Sequence, residues 1–499
     1  MTEAVESSAE QLGTRAVSNS VFILAARTAS RLISLVVVIV LANALGPTNY
    51  GEYATLITYS AIVSVLADIG FAPLYTREAA RDRAHLGDYL GTLIVFRVAL
   101  AAVAAVVFAI AFGFGTHLTS LILPGCALLV ATAYATVLRN TFYAVGRAEF
   151  DAIAIVAEVA IQGGLIYLGA RAHAGVSYFV TAYTASYLFT IVYALVVIAF
   201  FRLGRVRLRL DLDIIRRWLP LALPFAYTSF LTNLYFDADR VILPHFRSFA
   251  EVGWYQFAYK PFEATQFVPL AIQVVVYPIL AVYFVSDAAR LKVAYARFFK
   301  VLILLGWPLS VGTFVLVHPI GRLFHLYAKS EPSLRILAFA IVFLFANSAF
   351  YAMLNATNRQ HLNAWATGLA AVFNIALNLV FIPLYGYLGA SATTVVTEAS
   401  LCAMGWFFVQ RQAPDLRLPV VALGWRILLA GLVMGAVLYP LSGVSIFLSV
   451  PAGFFAYLIA ILALRVVDAD EWELAAEGLL SRLRRNPPTV IVVGGDGKA

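Results

Sequence analysis

The sequence predicts an all-α integral membrane protein of about fourteen transmembrane helices, arranged as two six-helix pseudo-symmetric bundles plus two C-terminal helices. Three observations carry that reading. Only 12% of the 499 residues are charged and 62% are hydrophobic, whereas a soluble globular domain carries roughly a quarter charged residues. Apolar stretches long enough to cross a ~30 Å hydrocarbon core recur along the whole chain with short gaps. The connectors between those stretches alternate in positive charge, as the loops of a polytopic membrane protein do.

Taken in order, the spans fall near 17–44, 52–76, 88–112, 119–144, 150–170, 175–201, 218–243, 252–283, 293–317, 333–357, 361–383, 388–411, 419–440 and 446–466. Spans 10 and 11 nearly run together. One set of connectors holds Arg77, Arg81 and Arg83, then Arg139 and Arg147, then the dense run from Arg202 to Arg217. It continues through Arg290, Lys292, Arg297, Lys300, Arg359, Arg411 and Arg417. The opposite set holds only Arg171, Arg247, Arg322 and Lys329. The positive-inside rule puts the first set in the cytoplasm, and parity places both termini there. The expected organisation is a cytoplasmic tail (1–16), a first bundle (17–201), a basic connector (202–217), a second bundle (218–411), two further helices (412–467) and a cytoplasmic amphipathic tail (468–499). The acidic, polar N-terminus lacks the basic region and cleavage site of a signal peptide, so span 1 is expected to direct insertion into the cell membrane.

Several function classes are disfavoured by what the chain lacks. The formal charge of +8 sits in short connectors with no module to present it to a groove, which argues against nucleic acid as a partner. There is no G-x-x-x-x-G-K-[ST] sequence, no H-E-x-x-H and no nucleophile elbow, so the expectation is a non-enzyme without a nucleotide motor. Cys126 and Cys402 lie in apolar runs far from any metal-ligand spacing and read as small buried hydrophobes. Asp237-Ala-Asp239 has the D-x-D shape of metal-dependent glycosyltransferases, but no loop domain exists to hold a sugar nucleotide. No cofactor or metal site is expected.

The chain repeats itself. Ala144-x-x-Arg147-x-x-x-Asp151-Ala152 recurs 212 residues later as Ala356-x-x-Arg359-x-x-x-Asn363-Ala364. Gly175-Val-Ser177 recurs 214 residues later as Gly389-Ala-Ser391, and Gly51-x-Tyr53 recurs 202 residues later as Gly253-x-Tyr255. The offset spans six helices, so both copies share one membrane orientation about an axis along the membrane normal. Arg147 and Arg359 should then occupy equivalent corners before spans 5 and 11. Substrate sites in such folds lie near the midplane between the halves.

A charge near the bilayer centre costs several kcal/mol and normally faces protein or water. Arg27 and Arg31 in span 1, Lys260 and Glu263 in span 8, and Glu398 in span 12 all lie deep. Arg27 and Arg31 share a face at i, i+4 with no carboxylate one turn away, so they need either an external anion or distant partners. Polar stripes accompany them: Asn233, Asp237 and Arg240 on span 7, Gln256 with Lys260 and Glu263 on span 8, and Asn374 and Asn378 on span 11. Together they predict a wet cavity enclosed by both halves. For Lys260 and Glu263, a static ion pair fits as well as a ligand site. Asp68 with Arg97 reads as a structural pair, as do Asp239 and Arg240. Both readings stay open for Asp151, Glu158 and Gln162.

Four segments carry a resemblance: Ala42-Asn-Ala-Leu-Gly-Pro47-Thr-Asn-Tyr-Gly51-Glu-Tyr53, Asp68-Ile-Gly70-Phe71, Asp239-Arg-Val-Ile-Leu243 through Glu251-Val-Gly253-Trp-Tyr255, and Leu354-Asn355-Ala-Thr-Asn-Arg359. In that order they resemble the polysaccharide transporter family of the multidrug/oligosaccharidyl-lipid/polysaccharide exporter superfamily, and within it O-antigen and exopolysaccharide flippases. The resemblance implies alternating-access export of a polyprenyl-diphosphate-linked oligosaccharide from the inner to the outer leaflet. Membrane lipids are partners, and a polysaccharide polymerase or glycosyltransferases could act alongside. The drive would be an H+ or Na+ gradient, or consumption of product outside. Arginine suits a diphosphate because it contacts it bidentately. Two alternatives of the same fold remain: a cation-coupled multidrug or metabolite antiporter, and a flippase of the lipid-linked peptidoglycan precursor.

Overall fold

A computed structural model describes residues 2–203, 206–325, 327–412, 417–418 and 420–467. Fifteen α-helices follow one another in it: α1 Thr2–Asp68, α2 Phe71–Arg81, α3 Leu86–Thr116, α4 Ile122–Ala144, α5 Ala148–Arg171, α6 Val176–Phe200, α7 Leu212–Phe246, α8 Phe249–Thr265, α9 Phe267–Ser286, α10 Ala288–Val315, α11 Val317–Leu323, α12 Glu331–Ala356, α13 Gln360–Gln412, α14 Val420–Leu438 and α15 Ile446–Ala463. The expected amphipathic tail lies outside the described residues.

Among the described residues, ten helical segments are long and apolar enough to cross a membrane, and two of them are helical hairpins. In α1 the turn is at Gly46, whose φ is +70°, and Pro47 follows, which has no N–H to donate to the preceding turn. Ser34 and Thr58 line one cavity, although a straight helix would hold them ~36 Å apart. In α13 the turn is at Gly386, with φ +61°. There the Asn374 amide donates to the Thr397 hydroxyl at 3.1 Å, which folds spans 11 and 12 against each other. Span 2 continues from α1 into α2 across a break at Ile69 and Gly70. Span 8 is α8 and α9, interrupted at Gln266, where the Pro269 ring would clash with the Thr265 carbonyl.

The buried apolar residues gather by half. In the first half, Phe108, Phe112 and Phe179 form one core and Phe71, Tyr75 and Phe142 another. In the second half, Phe298, Phe345, Phe350 and their neighbours form one core that also takes in Met434 and Tyr457 of the last two helices. α7 begins inside the expected basic connector, with Asp211 as its N-cap accepting from the N–H groups of Asp213 and Ile214. Its first turns (Ile214, Ile215 and Trp218) pack in the first half's core, whereas its Leu243 packs in the second. α8 is shared in the same way, its Phe257 packing in the first half's core and its Val252 and Tyr255 in the second's, so two helices belong to both.

The repeat is visible at atomic detail. The Arg147 N–H bonds the Phe142 carbonyl at 2.8 Å, and the Arg359 N–H bonds the Leu354 carbonyl at 2.8 Å. Each is preceded by a left-handed residue, Gly146 at φ +73° and Asn358 at φ +58°. Both corners therefore end a helix with the same carbonyl-capping turn. The third repeat pair meets itself across the molecule. A Cβ on Gly51 would stand 1.8 Å from the Phe249 carbonyl oxygen, and one on Gly253 would stand 2.0 Å from that of Pro47. Positions 47 and 51 map onto 249 and 253 at the repeat's own offset, so the contact is reciprocal about the pseudo-twofold axis. It joins the turn of the α1 hairpin to the first turns of α8.

Candidate functional site

Between the halves lies a cavity of about 550 Å³, walled by the first arm of α1 and by α7, α8 and the start of α9. Arg31, Ser34, Asn233, Asp237, Arg240, Lys260, Glu263 and Gln266 supply its polar lining, with Tyr259 and Phe267 among its aromatic surfaces. The α8–α9 break brings Gln266 to the wall, an irregular backbone segment placed where it borders a cavity rather than lipid.

Most of the charge in the cavity is internally compensated. Arg240 donates through Nη1 to Asp237 at 2.8 Å and through Nη2 to Glu263 at 2.5 Å, and Lys260 Nζ donates to Glu263 at 2.8 Å. The Arg240 guanidinium also lies 4.4 Å from the centre of the Tyr259 ring. Two cations and two carboxylates thus form one chain. Arg31 stands apart from it: its guanidinium lies over the Phe267 ring at 5.7 Å, and among the described residues it has no carboxylate partner. Among the described residues the cavity therefore carries one positive charge without a carboxylate partner.

Of the residues singled out from the sequence, Arg31, Asn233, Asp237, Lys260 and Glu263 meet here. Arg27 does not. It donates to the Tyr143 hydroxyl at 2.7 Å, and Tyr143 in turn donates to Asp151. Arg139 bonds Asp151 at 2.6 Å and lies 3.6 Å from Glu158, which accepts from Thr190 at 2.6 Å. So Arg27 is drawn to the wall of the first bundle by a partner more than a hundred residues away, and Asp151 and Glu158 belong to that same network.

Three further expectations are corrected. Glu398 accepts from the Tyr235 hydroxyl at 3.0 Å in the interior of the second bundle, because the hairpin turns that face of span 12 toward α7. Asn374 and Asn378 bond Thr397 and each other, stapling the hairpin instead of lining the cavity. Asp239 and Arg240 do not pair through their side chains, since neighbouring residues on a helix point about 100° apart. Asp239 accepts the Tyr255 hydroxyl and the Arg240 backbone N–H, while the Arg240 side chain enters the cavity. Its place on one stripe with Asn233 and Asp237 was the available signal.

Asp68 and Arg97 are brought together. Arg97, 2% exposed, donates to Asp68 and to the Ala133 carbonyl. Asp68 also accepts from the N–H of Ala72 at 3.1 Å, capping α2 just past the break. A smaller cavity of about 270 Å³ lies beside this pair and shares Asn233 with the central one.

A family model described as "Polysaccharide biosynthesis protein" matches residues 16–284, and a model named MatE matches residues 224–380. A lipid II flippase, MurJ, solved in an inward closed conformation superposes with a TM-score of 0.72, covering 93% of this chain and 100% of that one at 15% identity. A multidrug resistance MATE family transporter in an inward-facing conformation gives 0.63 over 78% of this chain and 95% of that one, at 14% identity. At such identities these likenesses speak to the fold. An uncharacterized membrane protein of Methanocaldococcus jannaschii is 35% identical over 69 residues, 14% of either chain.

Proposed function

The chain belongs to the polysaccharide biosynthesis protein family of the multidrug/oligosaccharidyl-lipid/polysaccharide exporter superfamily, and from that premise we propose that it flips a polyprenyl-diphosphate-linked oligosaccharide across the cell membrane. The observation that carries this reading is Arg31, the one cation of the central cavity without a carboxylate among the described residues. A lipid diphosphate has to shed water to enter a membrane-embedded cavity, and a guanidinium replaces that hydration with charge-assisted hydrogen bonds. An antiporter of cationic drugs would gain from an excess of carboxylates, whereas here Asp237 and Glu263 are consumed by Arg240 and Lys260.

In this reading the termini and the arginine-rich corners are cytoplasmic, and the Gly51–Gly253 contact seals the outer end. Substrate then enters from the inner leaflet, and export requires that contact to part while the inner end closes. Alternating access of this kind moves the two halves about a fixed central site. The solved lipid II flippase of the same fold supports lipid diphosphates as the substrate class.

The test is an inventory by mass spectrometry of lipid-linked sugars in cells lacking the protein, with the wild type and Arg31→Ala each restored. Accumulation of one lipid-linked oligosaccharide, relieved by the wild type and not by Arg31→Ala, is the expected result. Unchanged lipid-linked sugars, in cells whose surface glycans are also unchanged, would sink the proposal.

A further inference from the structure

Beside the central cavity lies a second one of about 180 Å³, between both arms of α1 and helices α5, α6 and α8. The two adjoin, sharing Ser34, Val38, Arg240 and Lys260. Beyond that shared floor, the side cavity is neutral. Its walls present Tyr50, Tyr53, Thr58, Gln162, Tyr183 and Gln256.

Gln256 is the informative residue. It is 3% exposed, it lines the cavity, and its side-chain amide has no hydrogen-bond partner among the described residues. The Gln162 amide and the hydroxyls of Tyr50 and Tyr53, residues 2% and 8% exposed, are likewise unpartnered. Buried polar groups in native proteins are nearly always paired, and leaving one unpaired is destabilising. Three such groups, with the half-buried Gln162 amide beside them, converge on one space, an arrangement that suits a ligand able both to donate and to accept.

The chemistry of the walls narrows what that is. An amide offers two donors and an acceptor, and a phenol offers one of each, which matches a group dense in hydroxyls. Tyr50 and Tyr53 stack at 6.5 Å between ring centres, and such aromatic faces suit the C–H faces of a pyranose. No free charge selects for a cation or an anion. The volume corresponds to on the order of ten water-sized groups, comparable to the heavy atoms of one hexose. We propose that this side cavity is the subsite for the sugar attached directly to the diphosphate, with Gln256 reading its hydroxyls while Arg31 holds the phosphates next door. The inference rests on the flippase reading and adds to it where the glycan is read and by what.

The test uses the full-length protein in lipid nanodiscs and measures binding of farnesyl diphosphate, bare or bearing one glucose, galactose or N-acetylglucosamine. The expected result is that at least one sugar-bearing probe binds the wild type more tightly than the bare one. Gln256→Leu should weaken that probe by about tenfold, the scale of a lost neutral hydrogen bond plus its stranded partner, while the bare probe binds as before. Tyr53→Phe, which removes a single hydroxyl, should give a smaller loss confined to the same probe. Arg31→Ala should weaken all four probes. If no sugar improves binding, or Gln256→Leu affects bare and sugar-bearing probes alike, the cavity holds resident water only and the subsite is refuted, while binding of the bare probe through Arg31 leaves the flippase reading standing. If the wild type binds none of the probes, that reading fails and the subsite with it.

Discussion

Arg27 and Arg31 are one helical turn apart and meet different fates. Arg31 faces the central cavity, whereas Arg27 is tied to Tyr143 and through it to Asp151. A charge-assisted hydrogen bond to phosphate is worth about 1.5–3 kcal/mol. Arg31→Ala should therefore weaken prenyl diphosphate binding at least about tenfold, and Arg27→Ala far less, as measured on protein shown to be correctly inserted. Equal losses for the two would return both arginines to a shared site. Arg31→Lys keeps the charge but not the planar fork, so partial retention would indicate a point-charge contact and full loss a bidentate one. The Asp68–Arg97 pair calls for a different measurement. Removing one member strands a buried charge at a cost of about 3–5 kcal/mol, whereas replacing both by apolar residues of similar volume is often near neutral. Thermal unfolding in detergent should show Asp68→Leu well below the wild type. The Asp68→Leu/Arg97→Met pair should recover most of the loss, less the share Asp68 contributes as the cap of α2.

Among the elements, the hairpins and the reciprocal glycine contact set the geometry. Single side-chain hydrogen bonds between helices in a membrane are worth only about 0.6 kcal/mol on average. The α13 hairpin therefore depends on Asn374, Asn378 and Thr397 together with packing around Gly386, and not on one bond. At the Gly51–Gly253 contact, which the proposed function makes the outer seal, the space is limited by backbone on both sides. A side chain at Gly51 would drive into the Phe249 carbonyl and one at Gly253 into that of Pro47. Gly51→Val and Gly253→Val should each keep this end from closing. A cysteine at Thr58, inside the side cavity, should then react with a membrane-impermeant maleimide added outside, and faster than in the wild-type background. Unchanged protection in both variants would mean that the seal is made elsewhere.

For the whole molecule, the cores of the two halves are bridged by α7 and α8, and these two helices, the first arm of α1 and the start of α9 wall the central cavity. α7 is anchored in the first half by Trp218 and in the second by Leu243, so any relative movement of the halves has to be absorbed along it. Pro220 and Pro224 interrupt its hydrogen-bond ladder between those anchors. Orientation is open to a direct check. Reporter tags at Arg147, Arg207 and Arg359 should be protected in intact cells, and tags at Ser248 and Ser330 should label from outside. Labelling of Arg207 from outside would invert the entire arrangement, because its connector carries the densest positive charge.

Residues near one another in sequence were legible before any coordinates. The membrane class, the succession of spans and the repeat depend on hydrophobic run length, connector charge and short-range periodicity. Each is imposed by the bilayer on a local segment, and the two matching corners at Arg147 and Arg359 follow from that same local chemistry. The stripe of Asn233, Asp237 and Arg240 on α7 follows from the same local periodicity, whereas for Lys260 and Glu263 the sequence left ion pair and ligand site equally open. What tertiary structure decided was the partner of each buried charge. Tyr143 for Arg27, Tyr235 for Glu398, Thr397 for Asn374 and Glu263 for Arg240 are all contacts between separate helices or the two arms of a hairpin. Helical periodicity tells which residues share a face but not which face turns to water, to lipid or to another helix. That choice is made by the hairpin turns at Gly46 and Gly386 and by the packing of one bundle against the other.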